Sequence, residues 1–422
     1  MHASISRRSV CLLLASALTL RRPAFADDAP DLSPAAVKAR ITNGLALLDK
    51  LYWVPVLHLW FRKPGDQLRT YYEGRLNPPW WSSANAVELI LDAMRITGDK
   101  SQLPALAAMW EQHHTNADQA PVTIAELKRL QQWTEADETE RQRKPRTRTT
   151  TRPGYKEFNN EYLDDSGWWG LSWLKMYDFT KEAKCLATSK EVHAHMAAHW
   201  RTDAGGGVLW HIEDKRPASN AITNSLFLIL SARLYERTQD QAFLKWAQQT
   251  YEWFQKNALY DGTAIVDAPG HKNDHWTYNQ GAWIGGLTAF YLATGTQSYL
   301  DEAVKVADSL IRHAGLFQNG VLVEKLGTRG WDVGLFKGVC MRYLGQLRDV
   351  LREQKLHAPV ADEIDTNLRS SAVSMIANAD KDGQYGLQWH KDAKDQDYNF
   401  NTHTSGLIAI VALLPVPQEK PH

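Results

Sequence analysis

Two adjacent carboxylates, Asp164 and Asp165, stand in the run Tyr162-Leu163-Asp164-Asp165-Ser166-Gly167-Trp168-Trp169, directly ahead of an apolar stretch. One acidic residue at such a place is explained by helix capping: its oxygen accepts from free backbone N–H groups and complements the helix dipole. One cap does not need two. Neighbouring Cβ atoms lie about 5–6 Å apart, so the two carboxyl groups can be held near the ~5–5.5 Å at which retaining glycosidases set a nucleophile against an acid/base. Like charges that close raise one pKa, leaving one carboxyl with a proton to give while the other stays ionised to attack.

The setting of the pair is aromatic. The chain has 17 Trp beside 15 Tyr and 11 Phe, more indole than a core needs, because a buried Trp N–H must find a partner. The rings recur at Trp80-Trp81, Trp168-Trp169, Trp210 with His211, Trp276 with Tyr278, Trp331, and Trp389 with His390. Flat aromatic faces take the C–H surface of sugars while Asn, Gln and His take the hydroxyls, so such a set fits a glycan cleft. Any single one of these Trp could equally close a helix end.

The elements that would position these residues follow from a repeat. A Thr with a Leu six places on occurs at Thr97 and Leu103, Thr180 and Leu186, Thr238 and Leu244, and Thr294 and Leu300. An apolar stretch precedes each Thr, such as Ala221 to Tyr235 or Gly281 to Ala293, and an amphipathic one follows, such as Phe243 to Phe254 or Leu300 to Ile311. With Pro34 to Leu51, Ser83 to Ile96, Phe336 to Leu351, Ala361 to Ala377 and Thr404 to Leu414, the pattern predicts about twelve helices in alternating inner and outer roles. Six hairpins close a ring, so the expected fold is all-α, an (α/α)6 toroid with its cleft where the chain enters the inner helices. Gly207-Val208-Leu209-Trp210 and Gly320 to Glu324 are short enough for loop hairpins, and nothing longer supports a sheet core.

The expected organisation is a signal peptide at 1–26 and one catalytic domain over 27–422, with an insertion loop at about 117–160. Arg7-Arg8, the apolar run Val10 to Leu20 and Ala24-Phe25-Ala26 have the order of an export signal of twin-arginine type, giving an exported, periplasmic or secreted product. The insertion sets Glu135 to Glu140 beside an Arg/Lys-rich, Thr-rich run to Arg152; mixed signs speak against a nucleic-acid arm. Lys plus Arg (48) balances Asp plus Glu (48), so no global field draws the chain to a polyanion or an anionic membrane. No later apolar stretch is long enough to span a bilayer. Cys185 and Cys340 suit neither a zinc site nor a CxxC motif, and two buried free thiols are expected. His193, His195 and His199 read as surface residues of an outer helix rather than metal ligands.

Several blocks, in order, resemble glycoside hydrolase family 76, the endo-acting α-1,6-mannanases and their fungal cell-wall relatives. They are Trp80-Trp81-Ser82-Ser83-Ala84-Asn85, Asp164 to Trp169, Gly205 to Trp210 followed by Asn220 to Asn224, Trp276-Thr277-Tyr278-Asn279-Gln280-Gly281, and Phe336-Lys337-Gly338 with Arg342-Tyr343-Leu344. The likeness runs from about residue 40 to 415. It implies a retaining mechanism on α-1,6-linked mannan, with Asp164 as nucleophile and Asp165 as acid/base, and it implies no metal or organic cofactor. Asn85, Asn220, Asn224, Tyr278, Asn279, Gln280 and Lys337 then join Trp81, Trp168, Trp169, Trp210 and Trp276 as the residues expected to hold the polysaccharide or oligosaccharide. A monomer is assumed. Departures from the family pattern at Ser219, Leu209 and the Arg/Thr-rich insertion bear on subsite preference. Rival readings are a transglycosylase using the same pair, a uronyl hydrolase or epimerase on the same toroid, and a non-catalytic glycan binder; a charged pair held close argues against the last.

Overall fold

The computed structural model describes residues 29–66, 78–115, 139, 158–201, 203, 205–214, 218–325, 330–390 and 396–417. The export segment at 1–26 and nearly all of the insertion at 117–160 lie outside the described residues. Described residues from Asp31 onward form one compact unit.

Twelve helices account for most of the described residues. The inner set is α2 (Trp80–Thr97), α4 (Leu163–Thr180), α6 (Ala221–Thr238), α8 (Thr277–Thr294), α10 (Val333–Gln354) and α12 (Phe400–Val411). The outer set is α1 (Pro34–Tyr52), α3 (Leu103–Thr115), α5 (Ala183–Ala198), α7 (Gln241–Lys256), α9 (Gln297–Arg312) and α11 (Ala358–Ala377). Each inner helix packs on the next, α2 on α4, α4 on α6, and so on to α12, which returns to α2; α1 packs on α12 as the outer partner of the last inner helix. The ring of six hairpins is therefore closed.

Burial explains which helix goes where. Every residue of α6 from Ala221 to Ala232 is buried, as a helix enclosed on all sides requires. On α9, Leu300, Ala303, Val304, Ala307 and Leu310 are buried at steps of three and four, with charged residues on the opposite face. Two glycines let inner backbones touch. A Cβ at Gly281 of α8 would lie 2.5 Å from Cys340 Cα on α10, and one at Gly338 of α10 would lie 2.7 Å from Ser405 Cα on α12, so neither place accepts a side chain.

The Thr repeat has a physical cause. At Thr97, Thr180, Thr238 and Thr294 the hydroxyl donates to the carbonyl four residues back, at 2.7–2.9 Å. Each also accepts the N–H two residues on, at 3.2–3.3 Å. The residue between is left-handed in all four cases: Gly98, Lys181, Gln239 and Gly295. Its N–H returns to the carbonyl four residues earlier, and the chain reverses into the outer helix. The Leu six places on then enters that outer helix, where Leu300 is fully buried.

Among the described residues, strands are confined to hairpins. β1 (Trp53–Val54) pairs antiparallel with β2 (Leu59–Trp60), and β3 (Phe317–Gln318) with β4 (Val321–Leu322). The 207–210 segment makes only isolated bridges, Val208 to Trp200 and Leu209 to Ser219. Cys185 and Cys340 are buried and unpaired. The histidine expectation needs correction at His193, which is buried on α5, 2.9 Å from Ser231 Oγ and stacked on Phe227; α5 turns that face inward to α6. Among the described residues no group of three or more His, Cys, Asp or Glu could hold a metal ion, and no helix is long and apolar enough to cross a membrane.

Candidate active site

The inner helices begin earlier than the apolar pattern suggests, at Trp80, Leu163, Thr277 and Val333. Asp164 and Asp165 thus lie in the first turn of α4, not in the loop ahead of it. The N-cap residue Tyr162 makes no side-chain cap; the segment at 208–212 replaces it. Leu163 N–H donates to Trp210 C=O at 2.9 Å, Ile212 N–H donates to Glu161 C=O at 3.0 Å, and Tyr162 bridges His211. Free N–H groups of the first turn favour negative charge there.

Each carboxylate has its own partners. Asp164 accepts from Trp210 Nε1 at 3.2 Å on Oδ2 and from Asp165 N–H at 3.1 Å on Oδ1. Asp165 accepts from Asn160 Nδ2 at 2.8 Å, and Asn160 is held in turn by the Tyr162 N–H and the Ser166 hydroxyl. Both side chains keep an opening to the cleft yet are otherwise enclosed by protein. Burial pushes the Asp164 carboxyl up to about 7, against the lowering effect of its hydrogen bonds. Burial and then the Asp164 charge push Asp165 well above the usual carboxylate range. The pair titrates as a unit, and both carboxyls hold their protons to higher pH than a free carboxyl does.

A cleft of about 610 Å³ opens over the pair. Of the residues expected to hold sugar, Trp81, Trp168, Trp210, Asn220 and Tyr278 line it together with Asp164 and Asp165. The remaining seven stand outside its lining. Asn85 is fully buried and carries Arg342 at 2.6 Å. Trp169 is core, packed on Trp80, Phe158 and Trp173. Asn224 holds both backbone groups of Val208, and Gln280 both of Ile265, so each amide fixes a loop instead of facing a ligand. Trp276 is half-buried with its ring against Phe336. Asn279 is buried and donates to Asp267 at 2.8 Å. Lys337 is buried under Trp389 and donates to Leu387 C=O at 2.6 Å. A polar residue in the first turns of a fully enclosed helix serves the neighbouring loop when that loop, not solvent, lies over it.

Several lining residues were absent from the expected set: Asn160, Tyr162, Asp267, Asp332 and Phe336. Tyr278 stacks on Phe336 at 3.9 Å, almost parallel. Asp332 stands directly before α10 and accepts the Trp81 indole N–H at 2.7 Å; its place after Trp331 and ahead of the Phe336-Lys337-Gly338 block was the signal available. Its charge raises both Asp164 and Asp165. Asp332→Asn keeps an oxygen for Trp81 but removes that charge. Both limbs of a pH–rate profile are expected to move to lower pH, by roughly a few tenths of a unit to one unit; unchanged limbs would show that Asp332 acts on neither carboxyl.

The chain matches the family model described as glycosyl hydrolase family 76 over residues 57–421. It belongs to that family. Among curated relatives, the mannan endo-1,6-alpha-mannosidase DCW1 of Candida glabrata is 24% identical over 63% of this chain and 66% of its own length. The mannan endo-1,6-alpha-mannosidase DFG5 of Saccharomyces cerevisiae is 28% identical over 60% of this chain and 59% of its own. This family 76 chain thus spans about three fifths to two thirds of the relatives it matches. Among solved structures, the α-1,6-mannanase of a Salegentibacter species superposes with a TM-score of 0.70 at 23% identity, covering 89% of this chain and 98% of that one. An inactive variant of the same enzyme, with two neighbouring aspartates replaced by asparagine and α-1,6-mannotriose bound, superposes equally well, at the same TM-score of 0.70. These superpositions show that the family 76 toroid is the fold.

Proposed function

We propose that this family 76 chain is an exported, retaining, endo-acting glycoside hydrolase that cleaves α-1,6-mannosidic linkages in a mannan-type polysaccharide. The observation that carries the reading is the adjacent carboxylate pair at the head of α4, both carboxyls raised by burial and each held by its own donor, on the floor of a cleft walled by Trp81, Trp168, Trp210 and Tyr278. Two features of the comparisons support it: the names of the fungal relatives, and the loss of activity when two neighbouring aspartates are replaced in the Salegentibacter enzyme.

In this mechanism Asp164 attacks the anomeric carbon as the bond to the leaving oxygen breaks, and Asp165 gives that oxygen its proton. Asp165, now ionised, takes a proton from water, whose oxygen displaces Asp164 and restores the starting anomer. No step asks for a metal or an organic cofactor. The test is NMR of the products formed from linear α-1,6-mannooligosaccharides by the mature protein. The α anomer is expected first. The β anomer first would overturn retention, no cleavage by folded protein would overturn the substrate, and products longer than the substrate would show a sugar hydroxyl competing with water.

A further inference from the structure

Asp164 is held by two donors, one on each oxygen: its neighbour's backbone N–H on Oδ1 and the Trp210 indole N–H on Oδ2. The first belongs to the helix and cannot be tuned. The second comes from a loop that is itself fixed, because Trp210 N–H donates to Ala218 C=O at 2.8 Å and Trp210 C=O accepts Leu163 N–H at 2.9 Å. One residue therefore holds both the start of α4 and the side chain of its second residue. The indole packs edge-on against Tyr162 at 5.5 Å, yet Trp210 remains 39% exposed, so a ring meant only to fill space would be better buried.

Resting on the retaining reading above, we propose that Trp210 is the positioning residue of the nucleophile: its N–H fixes the plane of the Asp164 carboxylate and holds it as the anion that attacks. Without that bond Oδ2 opens onto a cleft whose lining also carries Asp165 on the same helix, Asp332 from the head of α10, Tyr278 from α8, Tyr162, and the carboxylates Asp214 and Asp267, with Arg62 and His271 as the basic groups. In that acidic surrounding a loose carboxylate turns away or takes a proton. A charge-assisted N–H bond is worth about twice a neutral one, and it weakens when the carboxyl oxygen becomes an ester in the covalent intermediate, so it also favours release of the sugar from Asp164.

The competing reading, a stacking platform with no role in the chemistry, gives different numbers. Trp210→Phe keeps the ring and the backbone bonds but loses the N–H. Positioning predicts that kcat falls about 10²-fold with KM nearly unchanged, and that the acidic limb of the pH profile moves up by roughly half a unit or more, since losing a donor to the anion makes ionisation harder. Trp210→His, which keeps an N–H, is expected to recover part of kcat and of the limb. A raised KM with unchanged kcat and limb would leave only the platform and overturn the proposal. Carbon-13 NMR titration of the Asp164 carboxyl in wild type and Trp210→Phe reads the bond without substrate. If wild type cuts no mannooligosaccharide but this pKa rises in the variant, the substrate reading has failed and the positioning stands; an unmoved pKa overturns the positioning whatever the activity.

Discussion

Asp165→Asn is expected to lose about 10²–10⁴-fold in kcat/KM on mannooligosaccharides while keeping most of its rate for glycosyl-enzyme formation on an activated aryl α-mannoside, whose leaving group needs no proton. Asp164→Asn should lose at least ~10⁴-fold on both substrates, because no carboxylate remains to attack. Azide separates the roles by stereochemistry. In the Asp165 variant it intercepts the covalent intermediate and gives an α-mannosyl azide; in the Asp164 variant it attacks the α-linked substrate directly and gives the β product. Reversed anomers would exchange the two roles.

The same substitutions should raise stability. Both folded-state pKa values lie above the unfolded one, so at neutral pH folding confines charge that the unfolded chain holds freely in water. The pair's contribution is unfavourable at neutral and higher pH and disappears as pH falls below the unfolded value near 3.8. Replacing one of these carboxyls by an amide therefore relieves on the order of 1–2 kcal/mol and raises Tm by roughly a few degrees at pH 7. A variant that is both inactive and less stable would mean that the carboxyl group supports the fold.

The hairpin ring could be read from the chain because its devices are local. The Thr hydroxyl bonds only to its own helix end, and the inner and outer helices differ in periodicity that any short window shows. The carboxylate pair at the cleft was legible for the same reason, two carboxyls in one turn. What the chain did not reveal is which polar residues of the entry blocks face the cleft. Asn85, Asn224, Asn279, Gln280 and Lys337 differ from Asn220 and Tyr278 only in which loop covers them, and the loops come from distant sequence: Asn224 meets Val208, and Lys337 meets Leu387. Asp332 was hidden for the converse reason, since its tie to Trp81 joins residues 251 positions apart.

Arg342→Met is expected to destabilise the fold by about 3–5 kcal/mol at pH 7, read by urea unfolding, because it takes from the fully buried Glu88 carboxylate the largest of the charges that offset its burial. Arg342 crosses from α10 to α2, placing Nη1 2.6 Å from Asn85 Oδ1 and 3.2 Å from Glu88 Oε1, while Lys175 of α4 reaches Glu88 Oε2 at 3.0 Å and Asp92 at 2.8 Å. Burial works to raise the Glu88 carboxyl, but Arg342, Lys175 and Arg233 outweigh it and hold it down at about 2. In wild type Glu88 thus contributes stability that is present above its unfolded pKa near 4.5 and lost as pH falls toward 2. With Arg342 gone the largest opposing charge is gone, and the Glu88 pKa rises. Lower pH then protonates Glu88 and relieves the variant, so the gap to wild type should narrow between pH 7 and pH 4. Adding Glu88→Gln should recover part of the loss at pH 7 by removing the under-compensated buried charge, with Lys175 still paired to Asp92. A gap that stays constant with pH, and that the second substitution does not close, would assign the loss to lost packing. That outcome would leave the three-helix charge cluster as a bystander; the pH-dependent one makes it the clamp that holds α2, α4 and α10 together and so keeps Trp81 and the Asp164 pair in one cleft.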